Sequence, residues 1–297
     1  MSDTSRSPSV EHHRRTFVGL AYRMLGSLTD AEDIVQESLL KWHEHEAPET
    51  VESPKAYVGR IVVRACLDRL KSAAARREVY VGPWLPEPIV DVTAVTPDPD
   101  SASELASDLS VALLLTLERL SPLERAAFLL HDVFDSEWSD VAALLGRSEV
   151  ACRQLASRAR ARVKDETPRF HPSREERERV MWAFVSAIQS GDMAALQKVL
   201  ADDVVLISDG GGHVRAALKP IVGPDRVARF FLGVKKKNDD AGLVANAMPV
   251  MLHGAPGLLV EVGGQRQTLS VEVDTSGRIH AVYMVLNPDK LRRIGGP

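Results

Sequence analysis

The chain has 297 residues, 44% of them hydrophobic, which suffices for about two buried cores at roughly 150 residues per domain and excludes a disordered or fibrous protein. Its 37 Lys and Arg against 41 Asp and Glu leave a formal net charge of −4, so no field of the whole molecule draws it to nucleic acid or to a membrane, and any such attraction has to be local. Two cysteines, Cys66 and Cys152, without CxxC or Cys/His ligand spacing exclude a disulfide framework and a zinc module; no metal or cofactor is expected.

The N-terminal stretch MSDTSRSPSVEHHRR lacks the apolar core of a signal peptide and reads as a short lead, so a cytoplasmic protein is expected. Thr29-Asp-Ala-Glu32 reads as a capping box that opens a helix. Along that helix Ala31, Ile34, Val35, Ser38, Leu39 and Trp42 fall on one side as a core stripe. The other side carries Glu32, Asp33, Gln36, Glu37 and Lys41, an acidic face suited to a basic partner surface or, in the blander reading, to solvent. The next helix, from Pro54 to Lys71, is read as apolar at Tyr57, Ile61, Ala65 and Leu67 or Asp68, and basic at Lys55, Arg60, Arg64, Arg69 and Lys71, with Arg76 and Arg77 following. This is a local basic patch that the net charge hides. Cations beside Tyr57 and Tyr80 could hold phosphates while the rings stack on unpaired bases. Cys66 reads as a small buried hydrophobe.

Pro83, Pro86, Pro88, Pro97 and Pro99 forbid a continuous helix over residues 82–100 and mark a linker. Between Pro86 and Glu118 there are seven acids (Glu87, Asp91, Asp98, Asp100, Glu104, Asp108 and Glu118) and no Lys or Arg. Helices are expected to resume at about Ser103 and to run to about Lys164. Ser121-Pro-Leu-Glu124 is a capping box with Pro at the first helical position, and a second helix from about Trp138 to Leu145 ends at Gly146. Ser148 then caps a third helix, with Cys152, Leu155, Ala156 and Ala159 inward and Arg153, Gln154, Ser157, Arg158, Arg160 and Arg162 outward. Helix, Gly-containing turn and a second helix with an Arg/Gln face is a helix-turn-helix arrangement, in which early side chains reach base edges and later arginines meet phosphates. A merely solvated arginine-rich helix is the competing reading.

Ser173-Arg-Glu-Glu176 opens another helix with a capping box, so a boundary is placed near 168–173. Helices over about 174–190 and 192–201 precede the strand-like runs Val204–Ile207, Val214–Leu218, Leu243–Met251, Gly257–Val262, Gln267–Val273 and Ile279–Leu286. Helices followed by strands indicate an α+β domain with a mostly antiparallel sheet. The run from Ala241 to Val260 has no charged residue, but Pro249, Pro256 and three glycines make strands around the turn His253–Gly257 the better reading than a membrane span. Asp209-Gly-Gly-Gly212 lies between strand-like runs and reads as a tight turn that brings backbone close to another element, rather than as a phosphate cradle.

Phe17 to Glu37 resembles region 2 of bacterial sigma factors of the extracytoplasmic-function type, and Leu120 to Leu130 with the helix-turn-helix resembles their region 4. Trp84-Leu-Pro-Glu-Pro88, Asp209-Gly-Gly-Gly212 and Asn287-Pro-Asp-Lys-Leu291 resemble signatures of the subgroup with a SnoaL-like C-terminal extension. The resemblance implies two all-α modules and an α+β SnoaL-like cone: region 2 over 1–80, a linker over 81–102, region 4 over 103–168 and the C-terminal domain over 174–297. It implies RNA polymerase core as partner, through Asp30, Glu32, Asp33, Ile34, Val35 and Gln36. It implies promoter DNA as the second partner. The minus-ten element would meet the loop at about 44–54 and Tyr57, Arg60, Arg64, Lys71, Arg76 and Arg77, and the minus-thirty-five element Ser148, Arg153, Gln154, Ser157, Arg158 and Arg160. The interdomain regulatory contact it implies comprises Trp84, Leu85, Pro86, Glu87 and Pro88; Asp209, Gly210, Gly211 and Gly212; and Asn287, Pro288, Asp289, Lys290 and Leu291. Since SnoaL-like folds elsewhere host isomerases and hydrolases, Asp209, His213, Asp225, His253 and Tyr283 are the acid/base candidates for an alternative function as a small-molecule enzyme or ligand sensor.

Overall fold

The computed structural model describes residues 8–44, 51, 53–77, 80–91, 110–166 and 172–294. The chain divides into two compact units, one formed by 1–79 with 112–167 and the other by 80–111 with 168–297. Residues 92–109, which hold Asp98, Asp100, Glu104 and Asp108 and the expected helix start near Ser103, lie outside the described residues, as do most of the loop at 44–54 and the side chains of Arg76, Arg77 and Asp91.

The first unit is all-α. After a single turn, α1 (Pro8–Glu11), come α2 (Arg14–Leu25), α3 (Leu28–His43) and α4 (Pro54–Arg77), of which α2, α3 and α4 pack on one another. The cap of α3 is Ser27, whose hydroxyl accepts from the Asp30 amide, and not Thr29: the chain leaves α2 through a left-handed Gly26, so the first residue in an extended conformation is Ser27. The α3 core stripe is as expected, with Ala31, Ile34, Val35, Ser38, Leu39 and Trp42 all buried. In α4 the buried stripe is Val58, Val62, Val63, Cys66 and Leu70, while Tyr57, Ile61, Ala65 and Leu67 are half-buried and Asp68 is exposed. The expected stripe is thus rotated by about one residue. The valines are fully buried, whereas the half-buried Tyr57 lies against the Trp42 ring, 5.6 Å between centroids.

Among the described residues four further helices follow: α5 (Val111–Glu118), α6 (Pro122–Phe128), continued by a π turn over Leu129–Val133, α7 (Trp138–Leu145) and α8 (Glu149–Glu166). The Ser121 capping box forms in full, with its hydroxyl accepting from the Glu124 amide and the Glu124 carboxylate accepting from the Ser121 amide. Gly146, at φ +61, closes α7 in the left-handed conformation expected of it.

The second unit is α+β. Helices α9 (Arg174–Ser190) and α10 (Met193–Val199) fall where the sequence places them, and Ser173 supplies the expected capping box. Seven strands follow the order β1 (Val90–Asp91), β4 (Ala245–Leu252), β5 (Ala255–Val262), β6 (Gln265–Val273), β7 (Ile279–Val285), β2 (Leu200–Asp209), β3 (Ile221–Val222). Among the described residues only β2 and β7 pair in parallel, so the sheet is mostly antiparallel. Two expectations fail. Val214–Leu218 is not a strand: the loop folds back so that the Ala217 amide donates to the Ser208 hydroxyl at 2.9 Å, and the partner of β2 is the two-residue β3. Asp209–Gly212 is accordingly not a tight hairpin but the start of a long loop. A helix that the strand pattern did not include, α11 (Pro224–Asp240), covers the sheet with α9 and α10, through Val227, Ala228 and Phe231. It is followed at the chain's end by the short α12 (Pro288–Leu291).

Strand period two then gives the sheet two different faces. Leu206, Leu269, Val271, Val273, Val282 and Met284 point into the core beneath the helices. Thr268, Ser270, Tyr283 and Val285 point the other way.

Candidate nucleic-acid interface and linker pocket

In α3, Asp33, Gln36, Glu37 and Lys41 are exposed and Glu32 is half-buried. Ile34 and Val35 are buried in the bundle, so they hold the helix rather than present it. Asp30 is half-buried and accepts from Arg69 of α4 at 2.5 Å. In α4, Arg64 and Lys71 are exposed and Arg60 is half-buried; Lys71 pairs with Asp68 at 2.8 Å, and Arg64 rims a shallow groove with Glu37 and Lys41. Tyr80, expected beside the cations of α4, belongs to the second unit, where its hydroxyl donates to Asp209 at 2.5 Å. Burial pushes the Cys66 thiol up to about 12, so the thiol is inert, as its reading as a hydrophobe requires.

On α8, Ser148, Arg153, Gln154, Ser157, Arg158 and Arg160 are all exposed. The Ser148 hydroxyl accepts from the Ala151 amide at 3.3 Å and caps the helix. Arg153 lies over the Trp138 ring of α7, 5.5 Å from its centroid, and pairs with Glu149 at 2.8 Å. Arg158 donates to Glu124 at 2.9 Å and Arg160 to Asp132 at 2.6 Å. Burial of Glu124 favours its neutral form, but bonds from Ser121 and Arg158, with Arg162 nearby, outweigh that and hold its carboxyl below the usual range. Gln154 and Ser157 therefore sit on the outer face near the helix start, while Arg153 is held by Glu149 and the Trp138 ring, Arg158 by Glu124 and Arg160 by Asp132. Arg125 of α6 had no assigned role in the sequence reading. It is 3% exposed, donates to the Met24 carbonyl and pairs with Glu118 at 3.3 Å, and burial lowers it to about 10.

The three signature segments of the second unit meet at one buried carboxylate. Asp209, fully buried at the end of β2, accepts from Tyr80 Oη at 2.5 Å, the Leu85 amide at 2.8 Å, the Gly211 amide at 3.0 Å and Lys290 Nζ at 2.7 Å. Its own backbone carbonyl accepts from the Leu286 and Asn287 amides. Asn287 caps α12 with its side-chain oxygen and donates from Nδ2 to Tyr80 Oη at 2.9 Å. Lys290 also donates to the Leu85 carbonyl, and its ammonium stands 4.3 Å from the centre of the Trp84 ring. Gly211 is required: at φ +60, an added Cβ would come within 2.2 Å of the Asn287 side chain. The expected close approach of the glycine turn to another element is thus real, and the turn is tight, its Gly210 carbonyl accepting from the His213 and Val214 amides, but it opens a loop and does not join two strands.

Leu85, Pro86, Glu87 and Pro88 are all buried, and they lie on the sheet face opposite the helices. Between this segment and Leu252, His253, Thr268, Ser270, Tyr283 and Val285 a cavity of about 10 Å³ remains. Chain direction continues from Ile89, whose carbonyl accepts from the His253 amide, into β1, paired with the inner end of β4. Burial lowers the His253 imidazole to about 4. Of the acid/base candidates, Asp209 is consumed by the cluster, His253 and Tyr283 face the seated segment, and His213 pairs with Asp289 at 3.2 Å on the exposed side. Asp225 pairs with Arg229 along α11.

Residues 9–76 match the model of sigma-70 region 2, and residues 110–163 that of sigma-70 region 4. The chain is 37% identical over 292 residues to the ECF RNA polymerase sigma factor SigJ of Mycobacterium tuberculosis, covering 93% of this chain and 90% of that protein. It belongs to the ECF RNA polymerase sigma factors. A second relative of this sigma factor, the probable ECF RNA polymerase sigma factor SigI of the same species, is 31% identical over 290 residues, covering 96% and 95%. The crystal structure of M. tuberculosis SigJ superposes with a TM-score of 0.76 at 32% identity, over 95% of this chain and 96% of that one.

The sigma factor's linker signature and both C-terminal signatures converge in space within the second unit. Within them, Asp289 and Gly212 lie at the rim, Pro288 opens α12, and Leu291 is buried beneath it. Tyr80 is the participant that sequence reasoning placed elsewhere. Its position three residues past an arginine-rich helix suggested nucleic acid, and no local pattern revealed the carboxylate waiting at residue 209.

Proposed function

We propose that this sigma factor binds the RNA polymerase core through the exposed acidic side of α3 and promoter DNA through α4 and α8, and that its C-terminal domain regulates it in cis by holding the linker. Asp33, Gln36 and the half-buried Glu32 supply the polymerase contact, with Ile34, Val35 and Asp30 fixing the helix that carries them. Tyr57, Arg60, Arg64 and Lys71, joined by Arg76 and Arg77, serve the minus-ten element. Ser148, Arg153, Gln154 and Ser157 serve base edges and nearby phosphates of the minus-thirty-five element, with Arg158 and Arg160 on the backbone. The protein acts in the cytoplasm, where its partners are; among the described residues no helix is long and apolar enough to cross a membrane.

The observation that carries the regulatory part is the seating of Leu85–Pro88 beneath Lys290 and Asp209 in the second unit. These residues belong to the connection between the two promoter-binding segments, so whatever holds them controls how freely that connection moves. The enzymatic alternative has a poor foundation in this arrangement, because about 10 Å³ holds no more than a water molecule. A small-molecule ligand would act as a regulator, by displacing the seated segment.

Run-off transcription with core polymerase over a library of genomic promoter fragments tests the function. Discrete promoter-dependent transcripts are expected, falling about tenfold or more when Asp33→Lys and Gln36→Ala are combined. Absence of any transcript, with the same core active under another sigma factor, overturns the proposal.

A further inference from the structure

The contacts of Leu85 have the form of a peptide-recognition site. Its amide donates to Asp209 and its carbonyl accepts from Lys290, so both main-chain polar groups are read by side chains of the domain. Its side chain is completely buried. The flanking Pro86 and Pro88 have no amide hydrogen, so burying them leaves no donor to satisfy. Their fixed φ also keeps the segment extended at low entropic cost. Trp84 adds a cation–π contact, its ring centre 4.3 Å from the Lys290 ammonium. Main-chain pairing combined with pockets for particular side chains is how proteins bind extended peptides in trans. None of these contacts requires that the segment be covalently part of the same chain.

We infer that this face of the C-terminal domain is a binding site for an extended Trp-Leu-Pro-Glu-Pro-type peptide, filled in cis by residues 84–88 and open in trans to a partner protein that presents a segment of the same chemistry. The inference stands on the pocket and does not depend on the transcriptional reading. With about 10 Å³ left over, the two segments cannot occupy the site together, so capture of a partner releases the linker. The tethered segment competes at an effective concentration in the millimolar range, so the site is masked until the cis segment is weakened or the partner is abundant.

The probe is a dye-labelled synthetic peptide of residues 80–91, Tyr-Val-Gly-Pro-Trp-Leu-Pro-Glu-Pro-Ile-Val-Asp, titrated with full-length protein and followed by anisotropy. Leu85→Asp puts a carboxylate into the leucine pocket beside Asp209 and expels the cis segment. This variant is expected to bind the peptide at least about tenfold more tightly than the wild type, and to lose about tenfold when Asp209→Asn is added. A scrambled peptide is expected to bind neither. Equally weak binding by wild type and a folded Leu85→Asp protein overturns the inference. Should circular dichroism show Leu85→Asp unfolded, Leu85→Ala carries the same comparison, with the same ordering expected and the same equality fatal.

Discussion

At the residue scale, Asp209 shows how a buried charge is tolerated. Four donors surround its two oxygens, one of them an ammonium, so the loss of water is offset by bonds of good geometry. Asp209→Asn removes the charged partner of Lys290, which is 12% exposed, and is expected to cost the second unit on the order of 3 kcal/mol in urea unfolding. His253 gives a pH dependence. Its imidazole titrates at about 4 in the folded protein against 6.5 when free, because burial disfavours the charged ring. The unfolded state therefore binds the proton more readily, stability is full above pH 6.5, and it declines as the pH falls toward 4, by about 3 kcal/mol in all. Unfolding midpoints measured between pH 7 and 4 check this; His253→Asn, which tolerates the positive φ of +52 at that position, should flatten the profile. The family resemblance pointed to Asp209, Asn287 and Lys290 as one group. It did not point to Tyr80 or Arg125, whose partners lie 129 and 101 residues away along the chain.

At the element scale, what was legible followed the local signals. Ser121 and Ser173 capping boxes and the Gly146 terminus act within one turn, so α6, α7 and α9 fall where those residues place them. The α3 cap was misplaced because two candidates, Ser27 and Thr29, lie two residues apart, and the left-handed Gly26 that decides between them is a conformation, not a letter. Helix α11 had a local signal, Pro224 in its first turn and Val227, Ala228 and Phe231 at helical spacing, that a pattern of strands passes over; ion pairs at i,i+4, Asp225–Arg229, Lys235–Asp239 and Lys236–Asp240, run along its exposed side. Val214–Leu218 has strand composition but spends its backbone on the loop that frames the Asp209 cluster. For α8 the anchoring pattern yields a graded expectation. Arg153→Ala should weaken binding to a minus-thirty-five duplex and lower the salt slope by about one, with a stability loss of no more than about 1 kcal/mol from its exposed contacts with Glu149 and Trp138. Arg158→Ala should in addition shift the thermal midpoint downward, because it removes one donor from the Glu124 carboxylate that closes the α6 capping box. Fluorescence titrations at several salt concentrations, paired with melting curves, separate the two.

At the scale of the whole molecule, the balanced charge of −4 conceals a segregated one. Basic residues concentrate on α4 and α8, acids on α3 and in the connection between them, so composition alone misleads about the partners while the order of segments does not. The connection is where sequence and structure part most. Its prolines read as a spacer, yet residues 80–91 belong to the C-terminal unit and complete the open face of its sheet. Proline stiffness suits docking as well as spacing, and only the shape of the receiving face distinguishes the two. The central claim is that seating this segment governs the sigma factor's output. It is tested most directly by run-off transcription from one responsive promoter with wild type and Leu85→Asp at equal saturation of core polymerase. The account predicts the same start site with a yield changed at least about threefold. An unchanged yield from a folded Leu85→Asp protein that has demonstrably released its linker would contradict it.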